Sequence, residues 1–218
     1  MRTLAINTFM SLDGVVQSPG GPDEDPTGGF THGGWGVTYF DDEMMRQIAE
    51  AEPYELLLGR GTYEIFAAHW PYEEGPIADR LNGIRKHVAS RTLDRVEWNN
   101  SSLITGDVAE YVTALKTEDG PEIQVHGSPG LIQTLLEHDL IDEFRLWIFP
   151  LVIGAGKRLF GDGAIPAGLR LVDSRQSTTG VTINTYQRAG DIELGSFEFD
   201  EPTEAEVERR KRLADRTP

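Results

Sequence analysis

A short apolar run, Tyr54, Leu56, Leu57 and Leu58, meets Gly59-Arg60-Gly61-Thr62, and a helical pattern (Tyr63, Ile65, Phe66, Trp70) starts at once. A buried strand that ends in glycine and feeds a helix start restricts the chain to folds built from strand–helix units. It is also a natural anion site. The glycines let the backbone approach closely, the N–H groups of the helix start point outward, and Arg60 adds a planar cationic fork.

The same unit recurs along the chain. Leu4 to Met10 reads as a first buried strand, closed by the turn Ser11-Leu12-Asp13-Gly14. Helices are expected over 41–52, 61–69, 76–83 and 108–116, and strands over 54–58, 85–89, 101–105 and 122–125. The next helix carries Leu131, Ile132, Leu135 and Leu136 on one face, with Ser128 suited to its N-cap and Pro129 to its first turn. Beyond residue 140 the helices give way to a strand pattern over 141–153, broken by Gly154-Ala155-Gly156. A hairpin follows, 169–177 and 181–188, across Thr178-Thr179-Gly180. The sum is an α/β domain over 1–190 with a mixed sheet and an antiparallel C-terminal hairpin.

Two segments lack this periodicity. Residues 17–36 form a long Gly-, Pro- and Asp-rich loop whose Phe30 and Trp35 are expected to pack on something. Residues 191–218 hold a capping-box pattern, Thr203 and Glu206, before the charged run Glu208 to Arg212. That tail reads as a solvent-facing helix or a frayed end, with clasping of a partner subunit as the alternative.

Composition removes several function classes. With 218 residues and no cysteine, the chain needs no staple to fold, and thiolate zinc sites and cysteine nucleophiles are excluded. The five histidines form no i, i+4 ligand pair, so no metal site is expected, and no Gly-x-Ser-x-Gly elbow exists. A net charge of −16 argues against nucleic acid and anionic membranes as partners. With no long apolar segment, a cytoplasmic protein is expected.

What remains is a set of strand ends. Gly59-Arg60-Gly61-Thr62, Ser90-Arg91-Thr92 and Gly127-Ser128-Pro129 each follow a short apolar strand. In open α/β sheets ligands collect outside the carboxyl ends of the strands. Two glycine-bearing helix starts could each take one phosphate of a pyrophosphate. Arg60 or Arg91 could meet a further 2′-phosphate, which would favour NADPH over NADH. Asp13 either closes an Asx-type turn or faces the crevice, where it would hold substrate or supply a proton. Trp35 is either a loop anchor or a lid that stacks on a flat ring. Gly154-Ala155-Gly156 reads as a bend between strands.

Taken in order, Ser11-Leu12-Asp13-Gly14, Leu58 to Glu64, Ser90-Arg91-Thr92-Leu93, Val125-His126-Gly127-Ser128-Pro129-x-Leu131, Leu140-Ile141-Asp142-Glu143 and Pro150 to Phe160 resemble the C-terminal reductase domain of the bacterial riboflavin-biosynthesis deaminase–reductase, RibD. The resemblance spans about residues 2–188. It implies a dihydrofolate-reductase-like three-layer fold, NADPH as cofactor, a small heterocyclic substrate and a homodimer. It also implies that Gly59, Arg60, Thr62, Ser90, Arg91 and Gly127 to Leu131 line the cofactor, with Asp13 at the nicotinamide and substrate end. Asn7 stands where that family typically has Lys, and His126 where it has Glu. A stand-alone paralogue is therefore expected: a reductase of the riboflavin-pathway pyrimidine or of a related flat ring. The alternatives are a dihydrofolate or pterin reductase, or a catalytically silent nucleotide-binding protein.

Overall fold

The computed structural model describes residues 1–161 and 164–215. Its centre is one eight-stranded sheet. The strands are β1 (Leu4–Ser11), β2 (Tyr54–Gly59), β3 (Lys86–Ala89), β4 (Ser101–Leu103), β5 (Glu122–His126), β6 (Glu143–Phe149), β7 (Leu169–Gln176) and β8 (Thr182–Arg188). They lie in the order β4-β3-β2-β5-β1-β6-β8-β7. The pairs from β4 through β6 are parallel; β6–β8 and β8–β7 are antiparallel. The expected mixed sheet with a terminal hairpin is present.

The helices are α1 (Asp42–Ala49), α2 (Arg60–His69), α3 (Pro76–Gly83), α4 (Val108–Thr117), α5 (Pro129–Glu137) and α6 (Glu204–Ala214). Side-chain alternation along the strands decides which layer each helix joins. Leu4, Ile6, Ile123 and Val125 meet Val112 and Leu115 of α4 and Ile132 and Leu135 of α5 on one face. Tyr54, Leu56 and Leu58 meet Tyr63 of α2 and Leu81 of α3 on the other. Leu57 belongs to the first layer and its two neighbours to the second, which is why β2 needs three leucines in a row. A third cluster packs Met44 of α1 against Trp147 and Phe149 of β6 and Ile183 of β8.

Some boundaries differ from the sequence expectation. The strand expected over 141–153 stops at Phe149, because Pro150 has no N–H for the ladder. The helix expected over 41–52 ends at Ala49, three residues before the stretch that Pro53 forces to extend. Ser128 holds the N-cap position of α5 but does not cap it: its φ is 58°, and its hydroxyl is engaged elsewhere.

The 17–36 loop is stitched down. Gln17 Nε2 donates to the carbonyls of Asp25 and Thr27, both at 2.9 Å, and Gln17 Oε1 accepts from Lys157 N. Lys157 Nζ reaches Asp25 Oδ2 at 2.6 Å, which ties the loop to the 154–158 bend. The tail carries α6, capped by Thr203 as its sequence implies, while residues 216–218 lie outside the described residues. Among the described residues no helix is long and apolar enough to cross a membrane.

Candidate functional site

Because β3, β2 and β5 are parallel neighbours, their carboxyl ends open on the same edge of the sheet. Topology therefore brings Gly59-Arg60-Gly61-Thr62, Ser90-Arg91-Thr92 and Gly127-Ser128-Pro129 into one row. Side chains then lock the corners. Ser128 N donates to Thr62 Oγ1 at 2.8 Å, and Gly59 N donates to Ser128 Oγ at 2.9 Å, which in turn donates to the His126 carbonyl. Gly127 sits at φ +52°, and a Cβ there would meet Thr62 Oγ1 at 3.0 Å, so glycine is needed for this clasp. Thr62 and Ser128 hold the two helix starts side by side; the Ser128 hydroxyl both accepts and donates within the clasp, while that of Thr62 acts there as an acceptor.

The backbone donors are left over. Asp41, Asp107 and Thr203 accept hydrogen bonds from the first turns of α1, α4 and α6. Neither α2 nor α5 has such a side-chain cap. Each therefore presents unpartnered N–H groups and the positive end of its dipole to the same groove. Gly61 and Gly130, in these first turns, have open space where a side chain would be.

Two arginines flank this pair. Arg60 lies between corners: its Nε donates to Glu64 at 2.9 Å and its Nη1 to Thr92 Oγ1 at 2.5 Å. Arg91 is exposed and has no side-chain partner among the described residues. Ser90 Oγ accepts from the N–H groups of Thr92 and Leu93, so it shapes the turn that presents Arg91. Leu131 lies in the main core; it can offer the groove only its backbone N–H.

Asp13 and Trp35 are placed differently from the phosphate-type corners. Asp13 lies in the turn after β1, and its carboxylate accepts from Ile153 N at 3.0 Å, Ser11 Oγ at 2.7 Å and Gly154 N at 2.8 Å. The hydrogen bonds from Ile153 and Ser11, then Gly154, hold it far below the usual carboxylate range. Its main-chain carbonyl also accepts from Arg158. As a proton donor Asp13 is ill suited, because its oxygens are already taken as a buckle between β1 and the 153–154 bend. Trp35 donates from Nε1 to the Gln17 carbonyl at 2.7 Å and stands edge-on to Phe149 at 5.2 Å, the arrangement of an anchor. Gly156 in the bend presses on Val15 and Phe30, where a Cβ would come within 2.8 Å.

Sequence reading named Asn7 and His126 only as departures from the family pattern, and did not join them with Gln124 and Trp147 into one sheet face. Trp147 Nε1 donates to Asn7 Oδ1 at 2.9 Å, and Asn7 Nδ2 reaches Gln124 Oε1 at 3.4 Å. Gln124 Nε2 donates to Glu122, which is held bidentately by Arg145 at 2.7 and 2.6 Å. With Gln124 oriented this way, its Oε1 must accept from His126 Nε2 at 2.8 Å, which leaves Nδ1 as the acceptor of a neutral ring. Burial, with Arg145 nearby, pushes His126 down to about 4. The signal was present in β5 as strict alternation: Glu122, Gln124 and His126 against Ile123 and Val125.

Two hollows lie elsewhere in the molecule. Hollows of about 380 Å³ (Met1 to Thr3 with Asp142 and Arg188) and about 650 Å³ (along α4 with His138) lie away from the strand ends. Among the described residues no three His, Asp or Glu side chains gather as a metal-binding group.

Comparison with known proteins gives concordant results. Residues 2–183 match the family described as the RibD C-terminal domain. The Bacillus subtilis protein YyaP is 29% identical over 198 residues, covering 87% of this chain and 96% of its own. A Shewanella protein described as a candidate riboflavin biosynthesis protein superposes with a TM-score of 0.61 at 21% identity, over 87% of this chain and 99% of that one. Dihydrofolate reductase of Enterococcus faecalis, solved with NADP(H) and RAB-propyl, superposes with a TM-score of 0.53 at 14% identity, over 85% and 96%. The fold is dihydrofolate-reductase-like.

Proposed function

The chain belongs to the RibD C-terminal domain family, and from that membership we propose that it is an NADPH-dependent reductase of a flat heterocycle. One observation carries the reading: α2 and α5, both uncapped, are clasped start to start by Thr62, Ser128 and Gly59, with arginines beside them. Those donors fit a pyrophosphate. Arg91, exposed and unpaired, and Arg60 fit a 2′-phosphate. The NADP(H) bound to the Enterococcus enzyme of the same fold supports this assignment. When bound, NADPH would supply the hydride.

The remaining work falls to this chain's residues. Asn7 Nδ2 and His126 Nδ1, set over the buried Gln124 and Trp147, offer a neutral hydrogen-bonding floor, suited to the edge of an uncharged ring. Such a floor fits a pterin-like or simple pyrimidine ring better than the charged phosphoribosyl pyrimidine of riboflavin biosynthesis. Asp13 keeps the 153–154 bend against β1.

Tryptophan fluorescence should be quenched saturably by NADPH and more weakly by NADH, with the gap narrowing in Arg91→Ala. Binding of neither nicotinamide overturns the reading. Asn7 and His126, standing where the family typically has Lys and Glu, favour one alternative, a nucleotide-binding protein without turnover. Steady NADPH oxidation on any of a panel of pterins, pyrimidines and quinones rejects that alternative, and methotrexate-sensitive consumption of dihydrofolate would identify a dihydrofolate reductase.

A further inference from the structure

The sheet ends in an open edge. Among the described residues β7 pairs only with β8, and all eight of its residues are exposed, Leu169, Leu171 and Val172 among them. No proline or lysine blunts this edge, and its single irregularity lies between Leu171 and Asp173. Arg170, Asp173 and Arg175 put charge on the edge, so it can serve as a template only for a strand whose charges complement them. Arg170, between the two leucines, touches only Gln187 Oε1 at 2.9 Å.

The same chain carries a segment with the matching pattern. Residues 192–199 have no regular structure, yet they hold two alternating triplets, Ile192-Glu193-Leu194 and Phe197-Glu198-Phe199, which Gly195-Ser196 sets out of phase by one residue. Phe197 is fully exposed, and Leu194 and Phe199 are 92% and 76% exposed. Leu169-Arg170-Leu171 set against Phe197-Glu198-Phe199 puts apolar pairs on one side of the ladder and an Arg–Glu pair on the other. Within one chain the two do not meet. Gly168 N donates to the Gly190 carbonyl at 2.8 Å, so the tail is pinned at the start of β7 and leaves with its side chains in solvent. Glu198 reaches only Arg210 of α6, 2.7 Å away, and α6 buries no residue.

We propose that residues 192–199 of one copy add as a strand to the β7 edge of a second copy, and reciprocally, so that α6 lies as a strap across the dimer. The two-fold exchange makes the contact twice and closes both open edges. The tail lies beyond the family match, which ends at residue 183, so this device belongs to the extension.

The absence of cysteine makes a direct test possible. Full-length Arg170→Cys and Glu198→Cys variants, carrying tags of different size, are mixed under subunit exchange and treated with a short bismaleimide. A cross-linked species of summed mass is expected. In sedimentation, Phe197→Ser with Phe199→Ser should weaken the dimer by about tenfold or more. Both rings are solvent-exposed in the single chain, so folding is not at issue. Arg170→Glu should weaken it as well, and adding Glu198→Arg should restore it. A monomeric protein, a cross-link formed only within one chain carrying both cysteines, or a dimer unmoved by the phenylalanine changes would each overturn the proposal.

Discussion

At the carboxyl ends of β2 and β5 the helix starts carry no side-chain cap, and Arg91 after β3 has no side-chain partner among the described residues, while at the amino ends of the same strands the charges are locked together. There Arg2 Nη2 lies 2.7 Å from Glu55 Oε2, close but without hydrogen-bond alignment, and Arg2 Nε donates to the Pro121 carbonyl. His87 bridges Glu55 at 2.9 Å and Tyr111 at 2.8 Å. Burial opposes the Glu55 charge, but His87 and Arg2 outweigh it and hold its pKa below the ordinary value. Lys86 is fully buried, donates to the carbonyls of Ile84 and Asn99, and lies 4.1 Å from the centre of the Trp98 ring. Burial pushes it down to about 8. Polar groups satisfied internally contribute to the fold; donors left open at a groove are available to a ligand.

Substitutions at the two ends should therefore separate stability from binding. The largest effect is expected from Glu55→Ala, which leaves Arg2 buried without its counter-charge. Removing one partner of a buried pair costs about 3–5 kcal/mol, a fall in Tm of roughly 10 °C, with NADPH affinity in the folded protein unchanged. Calorimetry with a parallel fluorescence titration checks both halves; a loss of affinity would blur the contrast between the ends.

Acid should act through His126. Its folded pKa lies below the ordinary 6.5, at about 4, so between these values the unfolded chain binds the extra proton and the folded one does not. Stability contributed by the neutral ring is complete above about pH 6.5 and is lost as pH falls toward 4, on the order of 3 kcal/mol in all. Urea midpoints at pH 7 and 4.5 should therefore converge in His126→Gln more than in the parent. Equal slopes would contradict the neutral ring.

Gly59→Asp tests the bare helix start itself. The backbone there, φ −73° and ψ 158°, accepts any residue, and a new Cβ would find only ordinary contacts at 3.5 Å. The carboxylate would cap α2, leave stability level or raised by a few tenths of a kcal/mol, and reduce NADPH affinity by about a hundredfold through charge repulsion and lost donors. Arg60→Ala, with its guanidinium half-exposed, should cost about tenfold in affinity and leave Tm in place. Undiminished binding in both variants would move the cofactor away from the strand ends.

Much of the fold could be read locally. The leucine run of β2, the alternation of β5 and the Gly-x-Gly corner each announce their element, because side-chain period and glycine are short-range properties. The N-cap expected at Ser128 failed for a reason outside its own segment: Gly59 and Thr62, more than sixty residues earlier, compete for its hydroxyl and N–H. Asp13 is the same lesson. Its turn could be read from four residues, but the backbone groups that saturate its carboxylate come from Ile153 and Gly154.

The sequence by itself determined the elements, the α/β class and the three polar corners that end β2, β3 and β5, since each depends on a few consecutive residues. Tertiary structure decided that β3, β2 and β5 stand side by side, that Thr62 and Ser128 close the clasp between α2 and α5, and that Asp13 and Trp35 act as fastenings. Strand order and hydrogen-bond partnership are long-range choices, settled by which faces can be buried and which polar groups must be satisfied together.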